Sequence, residues 1–429
     1  MTGNNPDPLE PMAERYRRPD WVRRINAMGD AVGGSLDGAR RLVPIDSMEL
    51  QATARESLDG DSFGDFGDSD WTARFAALAT SADSAPFHTV GRLITRQELF
   101  RALRTRLLLG RALEANPGIE DEPVSAPVIV TGPARSGTSI LYELLALDPS
   151  LRAPMAYEAL HPVAPGERAA SNPDPRIAMA ECEQEFWADV QPEFAAIHEL
   201  RSDLPVECVT LTAPSFCGPH WGMVLPAGAP MDPPTDYAFH RRILQSLQHP
   251  ERPTPGSAGP NWLLKTPAHL AMLPFVFQTY PDAWIVQTHR DPTKTMPSTA
   301  STTAMVRWIR SDQVDIATLA VSIDAAFSGI LNAVATQRDS GELPKRFVDV
   351  HFQDLLADPV DTVRRAYAGM EREFTPAHAE EIQSYLAHKP RGKFGVHRYQ
   401  AEDWGFDPAE LRERMRPYID HFGIALEDS

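Results

Sequence analysis

The segment Pro127-Val-Ile-Val-Thr-Gly-Pro-Ala-Arg-Ser-Gly-Thr-Ser139 holds the residue types best suited to chemistry. A short apolar run leads into a loop containing Gly132 and Gly137, and an amphipathic stretch with Ile140, Leu141, Leu144, Leu145 and Leu147 follows at once. A strand, a tight glycine loop and a helix N-terminus in that order make an anion site. Loop amides point inward, and the positive end of the helix dipole adds to them. The spacing Gly-x-x-x-x-Gly is that of a Walker loop, but Thr138 stands where a Walker loop has its lysine. A cation lies inside the loop instead, at Arg135. The loop suits a phosphate, but not the β- and γ-phosphates of a magnesium-bound triphosphate.

Two more cations close apolar segments. Lys265 stands in Leu263-Leu-Lys-Thr-Pro-Ala-His-Leu270, and Arg290 in Trp284-Ile-Val-Gln-Thr-His-Arg-Asp-Pro292, followed by Ser298. The chain as a whole is acidic, with 41 Lys and Arg against 59 Asp and Glu and a net charge of −18. Such a balance disfavours nucleic acid and anionic membranes as partners. An anionic ligand must therefore be held by a local cluster of cations working against the global field. Three cations at three strand ends beside a glycine loop would form that cluster.

The elements that must position these residues can be read from the pattern. Strands are predicted at 151–155, 261–265, 283–289 and 346–352, with helices at 268–280, 319–338 and 359–369. Alternating strands and helices imply an α/β fold, a P-loop-like parallel β-sheet flanked by helices, with ligands beyond the carboxyl ends of the strands. Residues 1–120 read as a helical N-terminal extension packed on the core, and 121–429 as the α/β domain. Within the extension a helix is predicted from Arg92 to Asn116, opened by a Thr95/Glu98 capping box. Leu99, Leu103, Leu107 and Leu108 line one face, leaving Arg96, Arg101, Arg104, Arg106 and Arg111 on a solvated side. The three cysteines, Cys182, Cys208 and Cys217, have no zinc or disulfide spacing and read as thiols in a reducing cytoplasm. No signal peptide is evident, and no run approaches the roughly 18 apolar residues of a membrane span. A cytoplasmic protein is the expectation.

In this order the motifs resemble the sulfotransferases that use 3′-phosphoadenosine 5′-phosphosulfate (PAPS), in the bacterial branch with a helical N-terminal extension. The resemblance covers roughly residues 85–425. The Pro-Ala-Arg-Ser-Gly-Thr-Ser loop is similar to the family's 5′-phosphosulfate loop, with Arg135 in place of the commoner lysine. Arg290-Asp-Pro followed eight residues on by Ser298 matches the family's grip on the donor's 3′-phosphate. His351-Phe-Gln-Asp-Leu-Leu-Ala-Asp-Pro359 is similar to a Tyr-Glu-Asp-Leu…Asp-Pro strand and turn. Pro390-Arg-Gly-Lys-Phe-Gly-Val-His-Arg-Tyr399 resembles the late basic loop that closes over the 3′-phosphate.

The resemblance implies transfer of a sulfuryl group from PAPS, releasing PAP, to a hydroxyl or amine of an acceptor, without a metal. Arg135, Ser136, Gly137, Thr138 and Ser139 would hold the 5′-phosphate end. Arg290 and Ser298 would hold the 3′-phosphate, and Arg391, Gly392 and Lys393 would close over the donor. Arg135 and Lys265 are the candidates for stabilising charge in the transition state. One branch of the family reads Lys-Thr-His where His269 here stands four residues after Lys265. Other branches use a glutamate after the second strand, and Pro154-Met-Ala-Tyr-Glu158 offers one. Glu158 and His269 are the candidate general bases, with His161 and His198 behind them. Phe216, Trp221 and Met223 are candidates to line an apolar acceptor cleft, and His240 reads as structural. The acidic surface and apolar interior favour a small hydroxylated or lipid-like acceptor. A P-loop kinase and a non-catalytic nucleotide-binding protein share the loop spacing and remain as alternatives, while oligomeric state is not encoded in any motif.

Overall fold

The computed structural model describes residues 9–58, 63–64, 68–163, 174–197, 199–225, 229–249, 259–389 and 400–427. Strands β1 (Val128–Thr131), β2 (Leu151–Arg152), β3 (Asn261–Lys265), β4 (Trp284–His289) and β5 (Phe347–His351) form one sheet in the order β2-β3-β1-β4-β5. Every pairing is parallel. β1, β3 and β4 are covered on both faces, which is why their sequences are apolar runs rather than alternations. Successive side chains serve opposite layers. Ile129, Leu264 and Ile285 enter one core with the helices Leu273–Thr279 and Ile316–Ser340. Val128, Val130, Leu263 and Val286 enter the other with the helix Pro359–Gly369. In register, Val130 pairs with both Lys265 and Val286, so the three cation-bearing loops leave the same edge of the sheet.

Two sequence expectations need shortening. β2 stops at Arg152 because Pro154 supplies no backbone donor and Met155 already caps the helix Ala156–Leu160. The expected helix 268–280 opens as a 3₁₀ turn, Pro267–Met272, before Leu273–Thr279.

The extension contributes the helices Asp20–Ala31, Ser35–Leu42, Ser47–Glu56 and Trp71–Ser84, packed around the 27-residue helix Thr89–Ala115. Their apolar faces share a core with Val190, Phe194, Phe216, Trp221, Met305 and Ile309. The long helix begins earlier than its Thr95/Glu98 pattern suggested. His88 caps it, Nδ1 accepting from Gly91 N–H at 3.0 Å. Thr95 is interior and donates to the Gly91 carbonyl at 2.9 Å. The arginine-rich side is not solvated as expected. Arg92 and Arg106 are fully buried, Arg106 donates to the Pro214 and Gly64 carbonyls, and Arg101 pairs with Glu183. Helices packed around this one bring backbone and acids to its guanidinium groups, leaving Arg96 and Arg104 only partly exposed at its margin.

One described helix, Ile316–Ser340, is long and apolar enough to cross a membrane by length and composition. Ser322, Asp324, Ser328 and Asn332 interrupt its apolar residues, so no continuous apolar run marks it in the sequence. It packs Ile316, Leu319, Ile323, Leu331 and Val334 into the main core.

Glu98 shows what ties the extension to the sheet. Arg310, just beyond the helix Pro292–Trp308, donates from Nη2 to both carboxylate oxygens at 2.8 and 2.9 Å, and both side chains are buried. Burial alone would push the Glu98 carboxyl up, but the Arg310 charge, the His220 hydrogen bond and charge, and the Arg101 charge together outweigh it, and the group falls to about 2. Glu98→Ala would leave a buried guanidinium without its partner, a loss on the order of 3–5 kcal/mol. Denaturant unfolding should register that loss as a lower midpoint; an unchanged midpoint would show the pair to be dispensable.

Candidate active site

The loop after β1 is fixed from both neighbouring strands. Thr131 Oγ1 donates to the Thr266 carbonyl at 2.9 Å, and Thr288 Oγ1 to the Thr131 carbonyl at 3.3 Å. Gly132 has φ 145°, and a Cβ there would press on Thr288 Oγ1 and lie 2.6 Å from the Thr288 carbonyl oxygen. Gly137 has φ 92° and caps the helix Thr138–Leu145 with no side-chain bond to its first amides. The first amides of the helix therefore carry no side-chain cap. Arg135 is a non-glycine residue at φ 64°, exposed, with no ion pair among the described residues. Ser136 has other work than the ligand contact expected of it. Its hydroxyl is buried between the Pro133 carbonyl (2.6 Å) and Thr288 Oγ1 (2.5 Å), and its amide donates to Pro133. It shapes the loop from behind.

Lys265, almost wholly buried at the end of β3, reaches toward the loop. Its Nζ donates to Ser139 Oγ at 3.1 Å and forms a close ion pair with Glu207. Arg290 follows β4. Its Nη1 donates to the Arg135 carbonyl at 2.9 Å, and its guanidinium lies 4.0 Å from the Phe352 ring centroid. Phe352 also backs Gly137, so the motif at 351–359 supports both the loop and the arginine. Asp291 caps the helix Pro292–Trp308 through Thr293 N–H. Ser298, on that helix, is 1 % exposed and its Oγ has no hydrogen-bond partner among the described residues. The structure thus gathers Arg135, Gly137, Thr138, Ser139, Lys265 and Arg290 along one sheet edge.

The family model described as "Sulfotransferase family" matches residues 127–376, from β1 through β5 and past the helix Pro359–Gly369. The chain belongs to the sulfotransferase family. Among curated relatives, the omega-hydroxy-beta-dihydromenaquinone-9 sulfotransferase Stf3 of Mycobacterium bovis and of Mycobacterium tuberculosis is 22% identical over 314 residues, 69% of this chain and 75% of that one. Among solved structures, the sulfotransferase STF9 from Mycobacterium avium superposes with TM-score 0.75 at 24% identity, covering 90% of this chain and 98% of its own. Sulfotransferase STF1 from Mycobacterium tuberculosis H37Rv gives TM-score 0.70 at 25% identity, covering 86% and 97%. Membership sets aside the kinase and non-catalytic alternatives: this is a sulfotransferase with an α/β fold.

The base candidates are engaged elsewhere in this sulfotransferase. Glu158 is buried, with Oε1 accepting from Arg152 at 2.8 Å and Oε2 from Met155 N–H at 3.0 Å. Both oxygens hold the turn after β2. His269 is buried against Tyr237, whose hydroxyl lies 2.6 Å from Nδ1, and burial pushes the imidazole down to about 3. His161 is likewise lowered to about 3 by burial and lies 3.1 Å from Glu183. His240 bonds Tyr280 in the core, the structural role the sequence gave it.

The carboxylate that does face Lys265 is Glu207, partly exposed, whose Oε2 accepts from Thr266 Oγ1 at 3.2 Å. No motif marks it, because its link to the site is made across 58 residues of chain. Phe216 and Trp221 sit in the extension's core rather than lining a cleft. Arg391, Gly392, Lys393 and His198 lie outside the described residues.

Gly132→Ala tests the loop geometry. Neither the positive φ nor the Thr288 carbonyl accommodates a methyl, so a destabilisation of about 1–3 kcal/mol is expected and should appear as a lower melting temperature. Wild-type stability in this variant would mean that the loop can move away from β4.

Proposed function

We propose that this sulfotransferase takes the sulfuryl group from PAPS and passes it to a hydroxyl of a small or lipid-like acceptor. The observation that carries the reading is the convergence of three cations from three strand ends on one glycine loop, with the buried Ser298 hydroxyl, on the helix that follows Arg290, without a hydrogen-bond partner among the described residues. A donor with phosphates at both ends fits that arrangement. The first-turn amides of Thr138–Leu145 and Arg135 face one end, and Arg290 and Ser298 the other, with Arg391, Gly392 and Lys393 proposed to close over it.

In the transfer, the acceptor oxygen forms a bond to sulfur as the bond between sulfur and the 5′-phosphate oxygen breaks. PAP leaves with the electron pair. Arg135 and Lys265 lower the energy of the charge that grows on the sulfuryl and leaving oxygens. We assign the acceptor's proton to Glu207, in preference to Glu158 or His269, because its carboxylate sits beside Lys265 and is partly exposed. No step requires a metal. The hydroxylated isoprenoid quinone named for the curated relative supports an apolar alcohol as acceptor.

Transfer from labelled PAPS to a panel of sterol, isoprenoid and phenolic alcohols tests the reaction. Glu207→Gln should lower kcat about 10²–10⁴-fold while keeping PAP affinity, whereas Glu158→Gln should lower stability first. Near wild-type turnover in Glu207→Gln would reject the assignment. PAP at 100 times its Kd should add about 2.7 kcal/mol to the native state, and no thermal shift at saturating PAP would reject the donor.

A further inference from the structure

The segment after the helix Arg416–Phe422 crosses the carboxyl edge of the sheet and ends its described course on Arg290. Glu427 places one carboxylate oxygen on each of two guanidinium nitrogens. Arg290 Nε donates to Oε1 at 2.7 Å and Nη2 to Oε2 at 2.8 Å. The remaining nitrogen, Nη1, is the one bonded to the glycine loop. The segment's backbone is clasped as well. Glu427 N–H donates to Asp291 Oδ2 at 2.8 Å, and Arg412 Nη2 donates to that same oxygen at 2.6 Å and to the Glu427 carbonyl at 2.5 Å. Beneath the segment, between Arg290, Phe352, Ile424 and Ala425, lies a cavity of about 210 Å³.

A bidentate carboxylate on a guanidinium has the geometry that a phosphate uses on the same fork. We propose that Glu427 is an internal stand-in for the donor's 3′-phosphate. Its carboxylate holds Arg290 in the empty enzyme, yields to the 3′-phosphate when donor binds, and returns to Arg290 as PAP leaves. The inference rests on the PAPS reading above. The two anions compete on different terms. The phosphate brings more charge and an oxygen for the Ser298 hydroxyl, which has no partner among the described residues, while the carboxylate is tethered and so acts at high effective concentration. Donor affinity is then reduced by the fraction of molecules in which Arg290 is free, and product release is assisted by the same contact. The opposite role, in which Glu427 pre-orients Arg290 for phosphate, predicts weaker binding when the carboxylate is removed.

Calorimetric titration of wild type and Glu427→Gln with PAP and with adenosine 5′-monophosphate, which lacks the 3′-phosphate, separates these roles. Glu427→Gln should bind PAP about tenfold more tightly if the contact is closed in nine molecules of ten, with affinity for the monophosphate unchanged. Hydrogen exchange of the amides at 423–427 should quicken when PAP saturates the wild type. The stand-in role is overturned if wild type binds PAP but Glu427→Gln binds it equally or less tightly. It is also overturned if both nucleotides gain equally, or if exchange at 423–427 is unmoved. Failure of PAP to bind either protein would instead overturn the donor reading and remove the basis for the stand-in role.

Discussion

The architecture depends on holding several cations at one edge of a sheet in a chain whose net charge is −18. Burial does not favour a charge without a partner. Lys265 is the acute case, with its side chain only 3% exposed. It is stabilised by Glu207 and by the Ser139 hydroxyl. Arg290, also largely buried, is neutralised by Glu427 and stacked on Phe352. Arg135 alone of the three is exposed, so water can solvate it while its backbone adopts the left-handed turn the loop needs. The site therefore carries anions of the protein's own, Glu207 on Lys265 and Glu427 on Arg290.

That arrangement requires the loops of β1, β3 and β4 to keep their relative positions. They are locked side by side through hydroxyl-to-carbonyl bonds, Thr131 to Thr266 on one flank and Thr288 to Thr131 on the other. Gly132 lets β1 turn against Thr288 without a side chain between them. Behind the loop, Ser136 closes the contact with β4. The motif residues thus divide by depth. Those facing the sheet edge are available to a ligand, and those facing inward fix the loop. The buried Glu98–Arg310 pair extends the same rigidity outward, joining the long helix of the extension to the end of the helix that bears Ser298.

The strands and their two-sided burial were legible because a parallel strand covered on both faces reads as an uninterrupted apolar run. The glycine loop was legible because positive φ and close backbone approach leave few alternatives to glycine. The helix of the extension was visible from its leucines, but its expected start at Arg92 falls three residues late and the Thr95/Glu98 pattern is not its cap, since the actual cap, His88, is not among the usual capping residues. Its arginines looked solvated because periodicity identifies a polar face without saying what covers it.

The sequence by itself determined the parallel α/β layout, the glycine loop without a triphosphate lysine, and the cations at strand ends. All of these depend on residue type and local spacing. Tertiary structure alone decided which acids meet those cations. Glu207 and Glu427 reach Lys265 and Arg290 from far along the chain, whereas Glu158 and His269, near the motifs in sequence, are turned into the turn after β2 and into the core. Charge pairing across a sheet edge is set by distance in space, and no local pattern in the chain encodes that distance.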